Sequence, residues 1–303
     1  MEEWMKETGP LCAGLGEVLF DLLPGGARLG GAPANFAYAA RALGLPAVLV
    51  SAVGEDELGR EARRQLREKG LPAYLPAVRR ATGHVHVTLD GRGVPAYAFA
   101  DEPAYEAIPW TDELEALARR TTLCCFGTLA QWGRTTRRTA ERFLRAMPEG
   151  SFRVYDVNLR GHFYNRAIVE ASIAQADAVK CNEEELPVLC GYAGIDPSPE
   201  AYRAYLRSRG VDCFLYTEGA KRSTVYRGEE RSVLPTPDGP VEDTVGAGDA
   251  FTAAMMAALV RGAPLGRAHA LAVEVSSFVC TCRGAMPAYP PAYRERLDAW
   301  ARA

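Results

Sequence analysis

Residues 243–251 read DTVGAGDAF, and the chain continues as the apolar, alanine-rich segment TAAMMAALVRG. The apolar segment favours a helix, and glycines stand where that helix would begin. Small residues there let backbone N–H groups approach a ligand closely, and the helix dipole adds partial positive charge. The stretch therefore predicts an anion hole, suited to phosphate, formed by the amides of Gly246, Ala247 and Gly248.

Asp249 lies at the start of the same predicted helix. A carboxylate in a first helical turn often only caps the helix or complements its dipole. Beside a bound phosphate, however, it would repel the ligand unless it had a chemical task. Accepting a proton from a hydroxyl group that attacks phosphorus is such a task. Both interpretations stay open at this point, and the second predicts a phosphotransferase.

The overall composition is that of an ordinary globular protein, with 48% hydrophobic and 24% charged residues in a chain of 303. The formal net charge of −3 gives no reason to expect a nucleic acid or an anionic membrane as partner. The N-terminal MEEWMKETGP lacks the apolar core of a signal peptide, and AFTAAMMAALV is too short to span a bilayer. We therefore expect a cytoplasmic protein that does not bind membranes.

The chain contains eight cysteines, most of them inside apolar, strand-like or helix-like runs. Neither the adjacent Cys124 and Cys125 nor the pair Cys280 and Cys282 has zinc-finger spacing with histidines. His84 and His86 alternate on one predicted strand, without a third metal ligand nearby in the sequence. We therefore expect reduced, buried thiols and no structural metal site.

Strand-like and helix-like segments alternate along most of the chain, which predicts a mostly parallel central sheet with helices on both faces. Two segments break the pattern. GHVHVTLD and PAYAFA predict an antiparallel hairpin, and STVYRG with ERSVLP predicts a second β-rich patch. These antiparallel segments belong either at an edge of the sheet or in a small lid.

Ligands of open α/β sheets bind beyond the carboxyl ends of the strands. Polar residues follow several predicted strands or precede a helix, and six such groups at one edge indicate a site. The groups are Asp21 after EVLF; GGAPAN; Asp156, Asn158 and Arg160; Asn182 and Glu185; Thr217 and Gly219; and DTVGAGD.

Together these motifs resemble the PfkB (ribokinase-like) carbohydrate kinases. DTVGAGDAF is similar to the C-terminal signature of that family, and GGAPANFAYAARALG followed by SAVGEDELG is similar to its N-terminal signature. NEEE at residues 182–185, TEGAKRS and DVNLR match three further family elements. The resemblance covers about residues 11–290, and GEVLFDLLP, GGAPANFAY, FGTLAQ and DVNLR are most similar to the fructokinase branch.

The resemblance implies one ribokinase-like three-layer α/β/α domain over residues 1–303, with a β lid from about residues 20–34 and 82–103. It also implies ATP-dependent phosphorylation of the primary hydroxyl of a sugar, with D-fructose as the expected acceptor and fructose 6-phosphate as the product. Mg²⁺ would be required, and the family often binds K⁺ as well. Lid hairpins in this family often pair across subunits, which implies a homodimer.

The resemblance also implies roles for individual residues. Asp249 would be the catalytic base, and the amides of residues 246–248 would hold the phosphoryl group. The sugar would be bound by Asp21, Gly30, Gly31, Asn35, Tyr97, Phe99 and Arg160. The nucleotide would lie by Asn182, Glu185, Thr217, Gly219 and Thr244, with Glu185 organising Mg²⁺ through water. K⁺ would be held near Asp243, Val245 and Ala285.

Several alternatives stay open. Asp21 could cap a turn, and Asn182 with Glu185 has the pattern of a helix capping box. Ribose, 2-keto-3-deoxygluconate or a nucleoside could replace fructose, and the fold could serve a non-catalytic sugar or nucleotide sensor. A dehydrogenase is excluded because Leu19 occupies the third glycine position of G-x-G-x-x-G. Arg222 replaces the second glycine of the family's T-x-G-x-x-G, which leaves the nucleotide preference open.

Overall fold

The computed structural model describes residues 7, 9–23, 25–89 and 95–302, and residues 87–89 and 95–97 are described for their backbone only. The strands, in chain order, are β1 (Leu11–Leu15), β2 (Leu19–Leu23), β3 (Gly26–Gly30), β4 (Ala47–Val50), β5 (Val53–Gly54), β6 (Ala73–Tyr74), β7 (Ala77–Val78), β8 (Gly83–Leu89), β9 (Pro95–Phe99), β10 (Thr121–Gly127), β11 (Phe152–Asp156), β12 (Ala178–Asn182), β13 (Cys213–Glu218), β14 (Arg222–Arg227) and β15 (Glu230–Pro235).

The α-helices, in chain order, are α1 (Ala32–Ala42), α2 (Glu57–Glu68), α3 (Asp112–Ala118), α4 (Arg134–Ala146), α5 (Arg166–Ile173), α6 (Leu186–Ala193), α7 (Pro199–Ser208), α8 (Ala247–Leu259), α9 (Leu265–Cys280) and α10 (Pro291–Trp300). The last helix, α10, was not predicted from the sequence, and it packs Tyr293 and Leu297 into the core.

The main sheet has nine strands in the order β15-β14-β13-β12-β11-β10-β1-β4-β6 among the described residues. Its seven strands from β13 to β6 run parallel, and β14 and β15 are added antiparallel at one edge. The β-rich patch STVYRG and ERSVLP therefore extends this sheet rather than forming part of a lid. The predicted three-layer α/β/α fold is confirmed.

Side-chain alternation along the central strands divides the interior into two cores. On β10, Cys124 and Phe126 point into the core that also holds Phe143 of α4. Leu123 and Cys125 point into the other core, which contains Ala254 and neighbouring residues of α8. Adjacent side chains of a strand face opposite sides of a sheet, so the neighbouring cysteines serve two different cores. The eight cysteines are free.

A separate four-stranded sheet has the order β3-β2-β8-β9. Its β8 and β9 form the predicted antiparallel hairpin, and β2 pairs parallel with β8 and antiparallel with β3. Residue 24 and residues 90–94 of the predicted lid segments lie outside the described residues, and residues 32–34 belong to α1. The assignment of the whole chain to one domain with this sheet as a lid stays a prediction.

The apolar segment LCAGLGEVLF, residues 11–20, is divided between the two sheets. Asp21 was predicted to follow the end of the strand EVLF, and that was wrong. Gly16 adopts a φ of 148°, and the chain turns there from β1 of the main sheet into β2 of the small sheet. Asp21 consequently lies within β2, paired with Arg28 and Val85, instead of after the end of a strand.

None of the helices in the described part of the chain has the length and apolar character that crossing a bilayer requires.

Candidate active site

The N-terminus of α8 lies over the carboxyl ends of β11 and β12. The Thr252 hydroxyl, one turn into α8, donates to Oδ2 of Asp156 at the end of β11, over 3.3 Å. Lys180 of β12 approaches Gly248 so closely that a Cβ atom on that glycine would lie 3.2 Å from the Lys180 Nζ. Parallel strands present their carboxyl ends at one edge, so the sheet places these groups around the start of α8.

The residues of the predicted anion hole lie in the turn that leads into α8. Gly246 adopts a φ of 79°, and a Cβ atom there would lie 2.5 Å from the Cβ of Ala285. Only glycine fits this position without a shift of the backbone. Among the described residues no side chain caps α8, and the Ala247 N–H donates to the Thr244 oxygen over 3.3 Å, which leaves the N–H groups of Gly246 and Gly248 as the candidates for binding an anion.

Asp249 is held in the first turn of α8 by Asn35 of α1, whose Nδ2 donates to Asp249 Oδ2 over 2.8 Å. Burial and, to a lesser extent, the nearby Asp156 carboxylate raise the pKa of Asp249, while Asn35, Lys180 and Arg160 act in the opposite direction, and the net result is a pKa of about 6. A carboxylate with a pKa near neutrality is suited to accept a proton at physiological pH. The structure thus brings Asp249 and Asn35, which the sequence analysis placed in one site, into direct contact.

Lys180 and Asp156 form a buried ion pair beneath this carboxylate, with Nζ and Oδ1 3.1 Å apart and side-chain exposures of 9% and 5%. Burial opposes the charge of Lys180, but the carboxylates of Asp156, Glu185 and Asp249 raise its pKa overall. Lys180 therefore stays charged beside the anion hole. The sequence analysis did not assign it a role, although a lysine within the apolar strand AVKCN was a usable signal.

The small sheet and the start of α1 form the opposite wall. Gly31 has a φ of 113°, and a Cβ atom there would lie 2.4 Å from the backbone oxygen of Glu17. A Cβ atom on Gly30 would lie 3.7 Å from Asp21 Oδ2, so the polar end of Asp21 faces this glycine. Burial raises the pKa of Asp21, and the Arg28 guanidinium on the paired strand counteracts it.

Phe99 of β9 packs edge-on against Phe163, with ring centroids 5.1 Å apart. Both rings join an apolar cluster with Leu19, Val85 and Leu129. The side chain of Tyr97 lies outside the described residues. An apolar wall of this kind excludes water from one side of the site, where the sequence analysis placed a sugar.

Arg160 is exposed and follows β11, where Asn158 turns the chain in a left-handed conformation with a φ of 41°. The charge of Arg160 lowers the pKa values of Glu17, Asp21 and Asp249. It therefore lies within electrostatic range of the carboxylates of both walls. A guanidinium in that position suits an anionic group that enters between them.

Asn182 and Glu185 form the capping box that the sequence allowed. Asn182 Oδ1 accepts from the N–H groups of Glu184 and Glu185 over 2.9 Å each, and Glu185 Oε2 accepts from Asn182 N over 2.9 Å. Glu185 Oε1 accepts from Leu159 N over 3.0 Å, and the residue is only 4% exposed. Both oxygens of Glu185 and the Oδ1 of Asn182 are thus engaged by the backbone, so any influence of these side chains on a metal ion would pass through water.

The segments around Asp243 and Ala285 lie side by side. Asp243 Oδ1 accepts from Val245 N over 3.0 Å, and Oδ2 accepts from Gly284 N over 3.1 Å. Arg28 of β3 reaches the same carboxylate at 3.5 Å, a contact that the sequence analysis did not foresee. The predicted K⁺ segments are therefore adjacent, and a fixed positive charge from the small sheet lies beside them. Within the described residues, no group of three or more His, Cys, Asp or Glu side chains could hold a metal ion.

Thr217 lies near the end of β13, and Gly219 follows it with a φ of 49°, its oxygen accepting from Thr236 Oγ1 over 2.8 Å. Thr244 is exposed in the turn before α8. Arg222 is exposed and forms an ion pair with Glu218 across the turn between β13 and β14.

An apolar concavity of about 410 Å³ lies beyond this turn, between β15 and α9. It is lined by Leu234, Pro235, Pro237, Ala270, Val273, Glu274 and Ser277.

Comparison with known proteins agrees with this architecture. Residues 26–292 match the profile of the pfkB family carbohydrate kinases. A fructokinase of Klebsiella pneumoniae is 32% identical over 307 aligned residues, which cover 94% of this chain and 97% of the relative. An ATP-dependent 6-phosphofructokinase of Thermoanaerobacterium thermosaccharolyticum is 29% identical, with coverages of 86% and 81%. The crystal structure of an uncharacterized sugar kinase of Pyrococcus horikoshii in complex with ATP has a TM-score of 0.76 at 26% identity, with coverages of 96% and 99%.

Proposed function

The chain belongs to the pfkB family of carbohydrate kinases, and from this premise we propose that it transfers the γ-phosphoryl group of ATP to the primary hydroxyl of D-fructose. The observation that carries the proposal is the placement of Asp249. Its carboxylate lies in the first turn of α8, is oriented by Asn35, and is within electrostatic range of Glu17 and Arg160. The fructokinase similarity supports the choice of acceptor.

In the proposed reaction, the acceptor lies against Gly30 and Gly31 with its primary hydroxyl directed at Asp249. Asp249 accepts the hydroxyl proton as the oxygen attacks phosphorus in line with the departing ADP. The amides of residues 246–248 and the charge of Lys180 stabilise the negative charge of the transferring phosphoryl group. Asn35 keeps the Asp249 carboxylate aimed at the hydroxyl.

The nucleotide is proposed to extend from the anion hole along Thr244, Thr217 and Gly219 toward the apolar concavity between β15 and α9, which suits the flat face of a base. Mg²⁺, when bound with the nucleotide, would neutralise charge on the phosphates. Because both oxygens of Glu185 and the Oδ1 of Asn182 accept from backbone N–H groups, water molecules near these side chains are the groups that would face this ion. Carbonyl groups near Asp243, Val245 and Ala285 are proposed to hold K⁺.

A cytoplasmic location of the protein also stays a prediction.

A coupled assay of ADP release with Mg-ATP and a panel of acceptors tests the proposal. The panel contains fructose, ribose, 2-keto-3-deoxygluconate, a nucleoside and fructose 6-phosphate. We expect the highest kcat/KM with fructose and a product phosphorylated at the primary hydroxyl, identified by ³¹P and ¹³C NMR. A higher kcat/KM with another acceptor would retain the mechanism and reject fructose. Saturable sugar binding without turnover of any acceptor would instead support a sensor.

A further inference from the structure

Glu17 is a buried acid that the proposed reaction does not use. It lies in the turn between β1 and β2, only 2% of its surface is exposed, and its Oε2 atom has no hydrogen-bond partner among the described residues. Its backbone presses against the N-terminus of α1, where the Cβ position of Gly31 lies 2.4 Å from the Glu17 oxygen. The backbone of Glu17 is thus held beside the acceptor wall, and its buried carboxyl group has one oxygen without a partner within the described residues.

An unpaired buried carboxyl group is costly. Burial, with a smaller contribution from the charge of Asp249, raises the pKa of Glu17 to about 7. The backbone N–H groups of Glu17 and Ala32 and the charge of Arg160 act in the opposite direction. Tyr105 also faces it, since the Glu17 charge raises the pKa of that phenol. These partners leave Oε2 unsatisfied, and an unsatisfied buried polar atom in a native structure calls for an explanation.

A purely structural role accounts for only part of this arrangement. No side chain of the first turn caps α1, and the Glu17 carboxylate is placed to stabilise the free N–H of Ala32. One oxygen of the Glu17 carboxyl group is sufficient to stabilise the Ala32 N–H. The other oxygen, Oε2, is buried and has no partner, and the same is true of Oδ1 of Asn35, the residue that orients Asp249. Two unsatisfied acceptors therefore lie close to the carboxylate that is proposed to receive the proton.

We propose that Glu17 is a further acceptor-binding residue, whose unpartnered carboxyl oxygen forms a hydrogen bond with a second hydroxyl group of the sugar. Asn35 Oδ1 accepts from a hydroxyl group in the same way. A hydroxyl group suits this position because it donates to an ionised carboxylate and accepts from a protonated one. The ligand is therefore a polyhydroxylated molecule, with at least one free hydroxyl besides the reacting one. This inference rests on the proposed function, because it takes Asp249 as the centre of the acceptor site.

The test combines two variants with modified acceptors. Glu17→Met removes both carboxyl oxygens at similar length, while Glu17→Gln keeps one oxygen and adds an N–H donor in place of the other. The acceptors are fructose, or whichever panel sugar is phosphorylated best, and its monodeoxy derivatives. Glu106→Gln is the matched control, since Glu106 is 6% exposed and has a raised pKa but faces Arg80 and Glu102 instead of Asp249.

We expect Glu17→Met to lower kcat/KM for the parent sugar by about 10- to 100-fold, the range for a hydrogen bond to a charged group. One monodeoxy derivative should be a correspondingly poor substrate of the wild type and lose little more in Glu17→Met. Glu17→Gln should recover part of the loss, and Glu106→Gln should behave as the wild type. The KM for ATP and the thermal midpoint of Glu17→Gln report whether the fold is kept.

An equal loss for the parent sugar and every monodeoxy derivative would overturn the inference, because it would assign Glu17 a structural role only. That result leaves the proposed function intact as long as the wild type phosphorylates a sugar. If the wild type phosphorylates none, calorimetric titration of fructose and its derivatives, with a non-hydrolysable ATP analogue present, gives the same comparison. An absence of sugar binding there would overturn both proposals together.

Discussion

At the scale of single residues, the Asp249 side chain has to meet two opposing requirements. It must be ionised to accept a proton, and it must be shielded from water next to other acids. The structure resolves this with the Asn35 amide and the positive charges of Lys180 and Arg160, which counteract burial and Asp156. The result is a carboxyl group whose pKa of about 6 lies well above the ordinary aspartate range yet below neutrality.

This pKa predicts the pH dependence of the reaction. The protonated form of Asp249 cannot act as a base, so kcat/KM should fall as the pH drops through about 6 and level off above it. A pH series of kcat/KM with saturating Mg-ATP measures this, with Asp101→Asn, a change at an exposed carboxyl group, as control. A fall of kcat/KM centred near pH 4, roughly the ordinary pKa of an aspartate, would contradict this prediction.

Substitution of Lys180 is predicted to affect both the rate and the stability. Lys180→Met removes the charge beside the anion hole and leaves Asp156 buried without its partner, so we expect kcat to fall by about 10²- to 10³-fold. The unpaired carboxylate should also lower the free energy of unfolding by about 3–5 kcal/mol. Lys221→Met, at an exposed position, is the matched control.

The double variant Lys180→Met with Asp156→Asn separates the two effects. We expect it to recover most of the stability, since no unpaired charge remains, but not the rate. Urea unfolding and steady-state kinetics measure the two quantities. A recovery of kcat together with stability would show that Lys180 serves the fold only.

At the scale of elements, the turn into α8 is the most constrained part of the site. Gly246 adopts a left-handed conformation against Ala285, whereas Gly248 lies in the helix and has Lys180 Nζ as its nearest neighbour. Gly246→Ala should therefore lower the free energy of unfolding by at least about 1–2 kcal/mol, the cost of a left-handed backbone for a residue with a Cβ. Its activity should fall as well, because the anion hole shifts.

Gly248→Ala is the comparison for this element. Its Cβ meets only the flexible end of Lys180, so thermal unfolding should change little while the KM for ATP or kcat changes. Thermal midpoints and kinetics of the two variants test this ordering. Equal stability of the two would show that the backbone around Gly246 adapts freely.

Elements that have a local sequence pattern could be predicted from the sequence. Elements that depend on contacts between residues far apart in the chain could not. The helix after DTVGAGD and the hairpin of β8 and β9 have local patterns, so they were predicted. The division of residues 11–23 between two sheets was not, because both halves are apolar and the turn at Gly16 depends on packing against Pro33. Glu17 was overlooked for the same reason, since the sequence placed it inside a strand.

At the scale of the whole molecule, the site is assembled from segments far apart in the chain. Asn35 and Asp249 are 214 residues apart, and Arg28 and Asp243 are 215 apart. Neither contact has a local sequence signal, so only the resemblance to a family could bring Asp249 and Asn35 together in advance. Asp156 belongs to the DVNLR motif, but neither Arg28 nor Lys180 belongs to a motif that was compared, so only the structure reveals the Arg28–Asp243 contact and the Lys180–Asp156 pair.

The small sheet is also the element through which a homodimer is predicted to form. Pairing of β2, β3, β8 and β9 with the same sheet of a second chain would give a homodimer, so we expect a mass in solution of twice the 32.8 kDa of the chain. Multi-angle light scattering at micromolar concentration measures it. A mass of one chain across that range would contradict the predicted dimer and leave the proposed chemistry unaffected.

The central claim is that Asp249 takes the proton of a sugar hydroxyl during phosphoryl transfer from ATP. The most direct test compares the wild type with Asp249→Asn, which keeps the size of the side chain and an oxygen that can accept from Asn35. The account predicts that kcat with Mg-ATP and fructose falls by about 10²- to 10⁴-fold while calorimetry shows sugar and nucleotide still bound. A variant that retains most of the wild-type kcat would contradict it.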